Sequence, residues 1–388
     1  MDFELTDDQR RLREAARGLA AAFTDEYWAE CDAKGEFPWE FYRAFADGGW
    51  LGIAIPEAYG GGGLGLLEAS LLMEEIAASG AGMNGCSTMH LTIFGLNTIV
   101  KHGSARLREE ILPSAADGSL HVCFGVTEPD AGTDTTRIGT FARRDGDDYV
   151  ISGRKVWITK AGQSQKMVLI ARTTPRAEVA KPTDGMSLFL IDIDSDAVEL
   201  KPIPKLGRNA VASYEVFIDE LRVPGSARVG EEGEGFAYLL DGLNPERILL
   251  AHEALGIGRA ALARAVRYAN ERVVFDRPIG RNQGVAFPLA EAVTRLDAAE
   301  LMARNAAWRY DNGLSCGREA NMAKYLCADA GFAAADQAIQ THGGMGYARE
   351  YHVERYFREA RILRLAPVSQ EMVLNYVSTK VLGLPKSY

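Results

Sequence analysis

Two short runs carry residue types that could hold a flat polar ring between them: CFGVTEPDAGTD at residues 123–134 and GRKVWIT at residues 153–159. In the first, an apolar strand ends at Val126. It gives way to a turn in which Thr127, Glu128, Pro129, Gly132 and Thr133 gather hydroxyls and backbone N–H groups, a surface suited to a polar ring or an anion. In the second, Trp157 and Thr159 alternate with Val156 and Ile158. Strand side chains alternate with period two, so the indole and the hydroxyl share one face. That combination fits a flavin: the indole packs on the isoalloxazine, hydroxyls meet its heteroatom edge, and the intervening backbone reaches its carbonyls. Taken alone, the second run reads equally well as a β-hairpin with a buried tryptophan.

A carboxylate in the setting of a general base stands in LLDGLNPERILLAHEALG, residues 239–256. On a helix, Leu239, Leu243, Leu249 and Leu250 flank Glu246 along one stripe, whereas Asp241 and Asn244 point elsewhere. Apolar surroundings raise a carboxyl's proton affinity toward the range a general base needs. The bland alternative is a solvated glutamate beside Arg247, the outcome if Pro245 kinks the helix and rotates the stripe. Glu253 competes from nearly the same stripe, about 10 Å further along the axis.

Two more motifs follow. In ERVVFDRPIGRNQGVAF (271–287), Arg272 ends a helix, Phe275 follows, and Gln283 opens the next helix. An arginine at a helix end suits a pyrophosphate, although taken by itself it more often reads as a plain surface arginine. In QTHGGMGYAREYHVERYFREAR (340–361), a glycine-rich turn after Gln340 brings backbone N–H groups near a ligand or simply ends a helix.

The elements that must position these residues fall into three regions, giving an α+β fold class. Residues 1–120 carry helical periodicity, with breaks expected at FPWEF, at Asp47-Gly48-Gly49, at Gly60 to Gly63 and at Pro113. Residues 121–232 change to short Val/Ile/Phe-rich runs between turns, an antiparallel β domain in which polar Thr173 to Asp184 forms a mobile surface loop. Residues 233–388 return to the helical period in Ala-rich stretches at 236–275, 285–311, 317–341 and 366–382, a bundle of long helices.

Composition narrows the partners. The chain has 388 residues, 47% hydrophobic and 25% charged, enough for two or three packed units. A net charge of −10 leaves no global field to draw in nucleic acid or an anionic membrane surface. No apolar stretch approaches the ~20 residues needed to span a bilayer, and the N-terminal 23 residues read as an acidic-start amphipathic helix without a signal-peptide core. A cytoplasmic location is expected. Cys31, Cys86, Cys123, Cys316 and Cys327 show no metal-ligand spacing and no disulfide framework, so no metal is expected.

Taken jointly, these residues resemble the acyl-CoA dehydrogenase flavoprotein family over essentially the whole chain. VTEPDAGTD resembles the family's first signature, which departs from the pattern at Arg137, where a small residue is usual. Gln340 to Glu359 matches the second signature, with the WIT run between the two. The resemblance implies a helical domain, a central β domain and a C-terminal four-helix domain. It implies FAD contacts from Phe124, Val126, Thr127, Trp157, Ile158 and Thr159, and a pantetheine contact from Thr133. It implies that Arg272, Phe275 and Gln283, with Gln340, Gly343 and Gly344, hold the pyrophosphate and adenosine across a dimer interface, with Ser369, Gln370 and Glu371 as further adenosine contacts. A homodimer, or a dimer of dimers, is then the expected assembly.

The implied chemistry is α,β-dehydrogenation of an acyl thioester carried by coenzyme A or a carrier protein. A carboxylate takes the α-proton while hydride leaves the β-carbon toward flavin N5, and an electron-transfer flavoprotein accepts the electrons. Many relatives place the base in a Glu-Gly-Thr segment near the C-terminus. Here that segment is Ala366-Pro367-Val368-Ser369, so the usual base position falls on Pro367. Glu246 resembles instead the glutamate of isovaleryl-CoA and long-chain dehydrogenases, which suggests a branched, bulky or unusual acyl chain. Asn244, Arg247, Pro367 and Val368 are expected beside the thioester. Proline lacks the N–H that would bind the thioester carbonyl, so a neighbouring donor such as Val368 N–H or the flavin ribityl hydroxyl is expected to replace it. Two alternatives use the same scaffold: a flavin-dependent oxidase or monooxygenase, and a catalytically silent binding protein that keeps FAD.

Overall fold

Helices begin where the sequence supplies a cap. In the computed structural model, which describes residues 4–386, Thr6 and Gln9 close a reciprocal capping box that opens α1 (Asp7–Ala20). Residues 1–3 and 387–388 of the terminal regions lie outside the described residues. α2 (Asp25–Lys34) stops at Gly35, whose φ of +67° suits glycine, and α3 (Trp39–Asp47) starts directly after Pro38. α4 (Leu66–Ile76) and α5 (Gly82–His90) flank a π turn at Ala77–Ala81, and α6 (Asn97–His102) and α7 (Ala105–Ala116) complete the N-terminal helices. The break expected at Pro113 does not occur. Pro113 sits inside α7 and gives up one N–H, yet its carbonyl still accepts the Asp117 N–H, and Ser104 caps the other end of the helix.

The central region is a sheet of β1 (Val122–Gly125), β2 (Phe141–Asp145), β3 (Asp148–Thr159), β4 (Lys166–Arg172), β5 (Met186–Asp192), β6 (Val198–Pro202), β7 (Ser213–Val223) and β8 (Arg228–Val229). Its order is β6-β7-β3-β2-β4-β5-β8, with β1 also beside β4. The expectation of an antiparallel sheet is corrected: β1 and β2 both pair with β4 in parallel, and neither is joined to β4 by a hairpin, since β2 turns back into β3 before the chain crosses to β4. β4 and β5 are covered on both faces, which explains their unbroken apolar runs. Val168, Ile170, Leu188 and Leu190 pack with Ile99, Leu107 and Ile111 of the helices, while Met167, Leu169, Phe189 and Ile191 pack with Ile151 and Val216 of the sheet. The loop expected to be mobile is tied at its base. Arg172 donates to the carbonyls of Ile138 at 3.0 Å, Pro182 at 2.8 Å and Asp184 at 3.1 Å.

Four elements dominate the C-terminal region: α8 (Gly235–Glu271), α9 (Gln283–Asp311), α10 (Gly317–His342) and the pair α11 (Val353–Ile362) and α12 (Gln370–Tyr376). The strands β9 (Val273–Val274) and β10 (Arg277–Pro278) form a hairpin between α8 and α9. The stretch expected at 366–382 starts as helix only after Ser369, whose hydroxyl accepts the Met372 N–H, and ends in a π turn at Val377–Val381. α11 was not expected as a helix. Its buried face includes Arg355 and Glu359, so charged residues interrupt the apolar stripe that marks a helix in sequence.

α8 and α10 cross almost backbone to backbone. A Cβ on Gly331 would run into the Ala254 carbonyl, and one on Gly258 would meet Gly331 Cα at 2.9 Å. Gly331→Ala is therefore expected to lower stability by about 1–3 kcal/mol through overpacking. Gly18→Ala, where a Cβ meets nothing within 4 Å, is expected to be neutral or slightly stabilising. Thermal melts of the two variants check the contrast.

Candidate active site

The two runs that could hold a ring are stitched together by a buried ion pair. Lys155 Nζ donates to Glu128 Oε1 at 2.8 Å and to the Val126 carbonyl at 3.1 Å. Glu128 also accepts from Gly139 N–H at 2.7 Å, Thr140 N–H at 3.0 Å and Thr140 Oγ1 at 2.5 Å. Val156 N–H adds a bond to the Thr127 carbonyl at 2.9 Å. Burial alone would raise the Glu128 carboxyl, but Lys155 and these donors hold it below its ordinary value. Burial lowers the Lys155 amine to about 8 against the pull of Glu128. Glu128 is thus an internal tie rather than part of the turn's ligand-facing edge.

Strict alternation fails along this part of β3. A bulge between Lys155 and Ile158 turns both inward, while Trp157, at φ +64°, points out with 54% of its surface exposed. That exposure rules out the buried-tryptophan hairpin. Ile158 belongs to the core, so only its backbone is open to a ligand. Phe124, Val126, Thr127 and Thr159 are half-buried, and Thr133 is exposed. Arg137 lies outside, paired with Asp134 at 3.2 Å, so its departure from the signature leaves the interior undisturbed.

α8 continues through Pro245 without ending. Leu239, Leu249 and Leu250 are buried, and Leu243 and Glu246 are half-buried. Asp241 points away and meets His102 Nε2 at 2.9 Å, and Asn244 Oδ1 accepts from Arg247 at 3.2 Å. Burial pushes the Glu246 carboxyl up to about 8; Arg247 opposes this, Glu253 adds to it, and Lys324 opposes it. Glu253 is committed elsewhere, with Oε1 2.9 Å from His90 Nδ1.

Lys324 is the residue that the sequence reading missed. It is buried on α10, and its Nζ donates to the Val368 carbonyl. Burial and the neighbouring Arg247 bring its amine down to about 8, while Glu371 and Glu246 pull the other way. The signal in the sequence was a single lysine inside the apolar run NMAKYLCADA. Val368 N–H meets no acceptor among the described residues. Glu246, Arg247, Lys324 and the Pro367–Val368 segment thus form one electrostatic neighbourhood.

The third set lies at the surface. Arg272, Gln283, Gln340, Gly343 and Gly344 are exposed, and Phe275 is 93% exposed. Gly343 ends α10 at φ +60°, and a Cβ on Gly343 or Gly344 would meet nothing within 4 Å. Ser369 caps α12, Gln370 is buried with Oε1 on Arg364 at 2.8 Å, and Glu371 is exposed.

Removing one partner of the internal ion pair strands the other charge. Lys155→Met is expected to cost about 3–5 kcal/mol of stability and to lower flavin content. Adding Glu128→Gln, which keeps an acceptor for the Gly139 and Thr140 amides, is expected to restore part of both. Melting temperature and the ratio of flavin to protein absorbance check this.

The three regions match the acyl-CoA dehydrogenase N-terminal domain over residues 6–119, the middle domain over 123–221 and the C-terminal domain over 233–382. The chain is 41% identical to acyl-CoA dehydrogenase FadE12 of Mycobacterium tuberculosis, across 99% of this chain and 98% of that protein. It superposes on butyryl-CoA dehydrogenase from Megasphaera elsdenii with a TM-score of 0.93 at 30% identity, covering 98% of this chain and 100% of the other. An FAD complex of PigA superposes with a TM-score of 0.93 at 25% identity, covering 99% and 100%. Among the described residues no helix is long and apolar enough to cross a membrane. Its cofactor is FAD. With family patterns matched along nearly its whole length, the chain belongs to the acyl-CoA dehydrogenase family, oxidoreductases that act on CH–CH bonds.

Proposed function

We propose that this chain dehydrogenates the α,β-bond of an acyl thioester and that Glu246 removes the α-proton. One observation carries the reading: Glu246 sits on a leucine-lined helix face where burial holds its carboxyl near 8. An α-proton beside a thioester carbonyl is weakly acidic, so its base must be strong at neutral pH and fixed in place. A carboxyl with raised proton affinity on a continuous helix meets both needs. As the proton leaves, the thioester oxygen gains negative charge and needs a donor. Pro367 has no N–H; the unpaired Val368 N–H takes that role, and Lys324 anchors the following peptide by the Val368 carbonyl. Asn244 and Arg247 flank the base, Asn244 holding the guanidinium.

The residues present fit FAD. Trp157 presents its indole outward, with the hydroxyls of Thr127 and Thr159 and the backbone of Phe124, Val126 and Ile158 beside it, while the open glycines Gly343 and Gly344 let a phosphate approach the chain. Bound there, FAD supplies the two-electron oxidant. Arg272, Phe275 and Gln283 would reach it from a second copy. Phe275 at 93% exposure and Tyr347 at 87%, with Phe287 and Val273 also exposed, are the apolar groups such an interface covers. Ser369, Glu371 and the Gln370 backbone would contact adenosine, and Thr133 would meet the pantetheine arm. The same reading divides the chain at 120/121 and 232/233, places it in the cytoplasm, and assigns an electron-transfer flavoprotein as electron acceptor.

Glu246→Gln, with FAD retained, is expected to lower acyl-dependent flavin bleaching by about 10²–10⁴-fold. Undiminished bleaching would overturn the assignment. A base works only deprotonated, so kcat/KM of the unmodified enzyme is expected to rise with pH through about 8, read from steady-state rates across pH.

A further inference from the structure

We infer that the far end of the acyl site is polar, and that Glu253 with His90 accepts a hydroxyl on the substrate about 10 Å from the α-carbon. The inference rests on the proposed role of Glu246 and adds a substrate class to it.

Glu253 follows Glu246 by seven residues on α8, so the two carboxylates lie on one helix face, two turns apart. They are close enough in space that the charge on Glu253 raises the proton affinity of Glu246. Glu253 is 0% exposed. Its Oε1 meets His90 Nδ1 of α5 at 2.9 Å, and Phe94 packs beside that imidazole with ring centroids 5.3 Å apart.

Its second oxygen, Oε2, has no partner, and it is the single carboxylate oxygen among the buried, unpartnered side-chain atoms of the described residues. Buried carboxylates that only hold this fold together are treated differently. Glu128 accepts four donors, and Glu359 accepts Met83 N–H at 2.5 Å, Asn84 N–H at 3.2 Å and Asn84 Nδ2 at 2.7 Å. A buried acceptor left unmade is costly, so a structural role alone does not account for Glu253.

The missing partner must be a donor. Positive charge is already present: Arg208, which donates to Ser87 Oγ at 3.3 Å and Ser213 Oγ at 2.9 Å, interacts electrostatically with Glu253. A neutral hydroxyl therefore fits better than a second cation. An all-alkyl chain would end against a carboxylate oxygen that it cannot satisfy.

The test compares straight-chain acyl-CoA thioesters of increasing length with their terminally hydroxylated counterparts, reading kcat/KM for flavin bleaching by the intact holoenzyme. At the length that spans the site, the hydroxylated chain is expected to be preferred by about tenfold to a hundredfold. Replacing both partners, His90→Leu with Glu253→Leu, is expected to reverse that preference. Glu253→Gln, which keeps size and an acceptor, is expected to retain part of it and serves if the double variant does not fold. Equal or better turnover of the alkyl series at every length by the unmodified enzyme overturns the inference, as does an unchanged ratio in either variant. Bleaching by short thioesters together with no hydroxyl preference sinks this inference alone, whereas no bleaching by any thioester sinks the dehydrogenase reading as well.

Discussion

The arrangement depends on one buried ion pair, Lys155 with Glu128. Neither charge is inside for stability, because taking both out of water costs about as much as their attraction returns. What the pair gives is position. It pins the turn after β1 against the bulge of β3, and the bulge in turn leaves Lys155 and Ile158 inward and Trp157 outward. A regular strand would have given Trp157 the same side as Lys155. The outward indole and the turn at Thr127 therefore owe their placement to a lysine and a glutamate that bond each other in the interior.

The second constraint is that α8 serves the core and the site with the same residues. Its leucines bury against α4, α10 and the sheet, and the carboxylate between them inherits their low-dielectric surroundings. The proposed placement of the base on this helix rather than on a loop near residue 367 has two consequences. The carboxylate gains a rigid support, because a continuous helix packed on two neighbours does not shift by an ångström at little cost. The loop loses both its carboxylate and an amide donor at Pro367. Lys324 bonds the Val368 carbonyl and so fixes the Val368–Ser369 peptide, on the other side of the Val368 Cα from the Val368 N–H.

Much of this was legible from pattern. Period-two and period-3.6 signals separated the three regions, and the leucine stripe singled out Glu246 because burial and proton affinity share one cause. Whatever required two distant residues to meet was not legible. Glu128 and Lys155 stand far apart in sequence, and nothing local distinguishes a glutamate facing a ligand from one facing a lysine. Lysines are mostly exposed, so a lone lysine such as Lys324 in an apolar run is easily passed over. α11 was hidden for a related reason: Arg355 and Glu359 are buried through ties to Asp25 and to the α5 backbone, contacts that lie hundreds of residues away in the chain. The parallel pairing of β1 escaped because short strands carry no record of their neighbours' direction.

On the proposed roles of Glu246 and Glu253, two carboxylates on one helix face would also act as a ruler. Rise per residue is fixed at about 1.5 Å, and the helix is braced along its length, so the span from Glu246 to Glu253 cannot adjust to the ligand. A flexible loop at either end would let chains of several lengths fit; a helix does not. The two groups are also electrically linked, since negative charge at Glu253 raises Glu246. A donor that bonds Glu253 spreads that charge and eases the penalty on ionising Glu246. On the proposed roles of the two carboxylates, recognition at the far end of the chain and readiness of the base at the near end would be coupled through the field along a single helix, without any movement of the backbone.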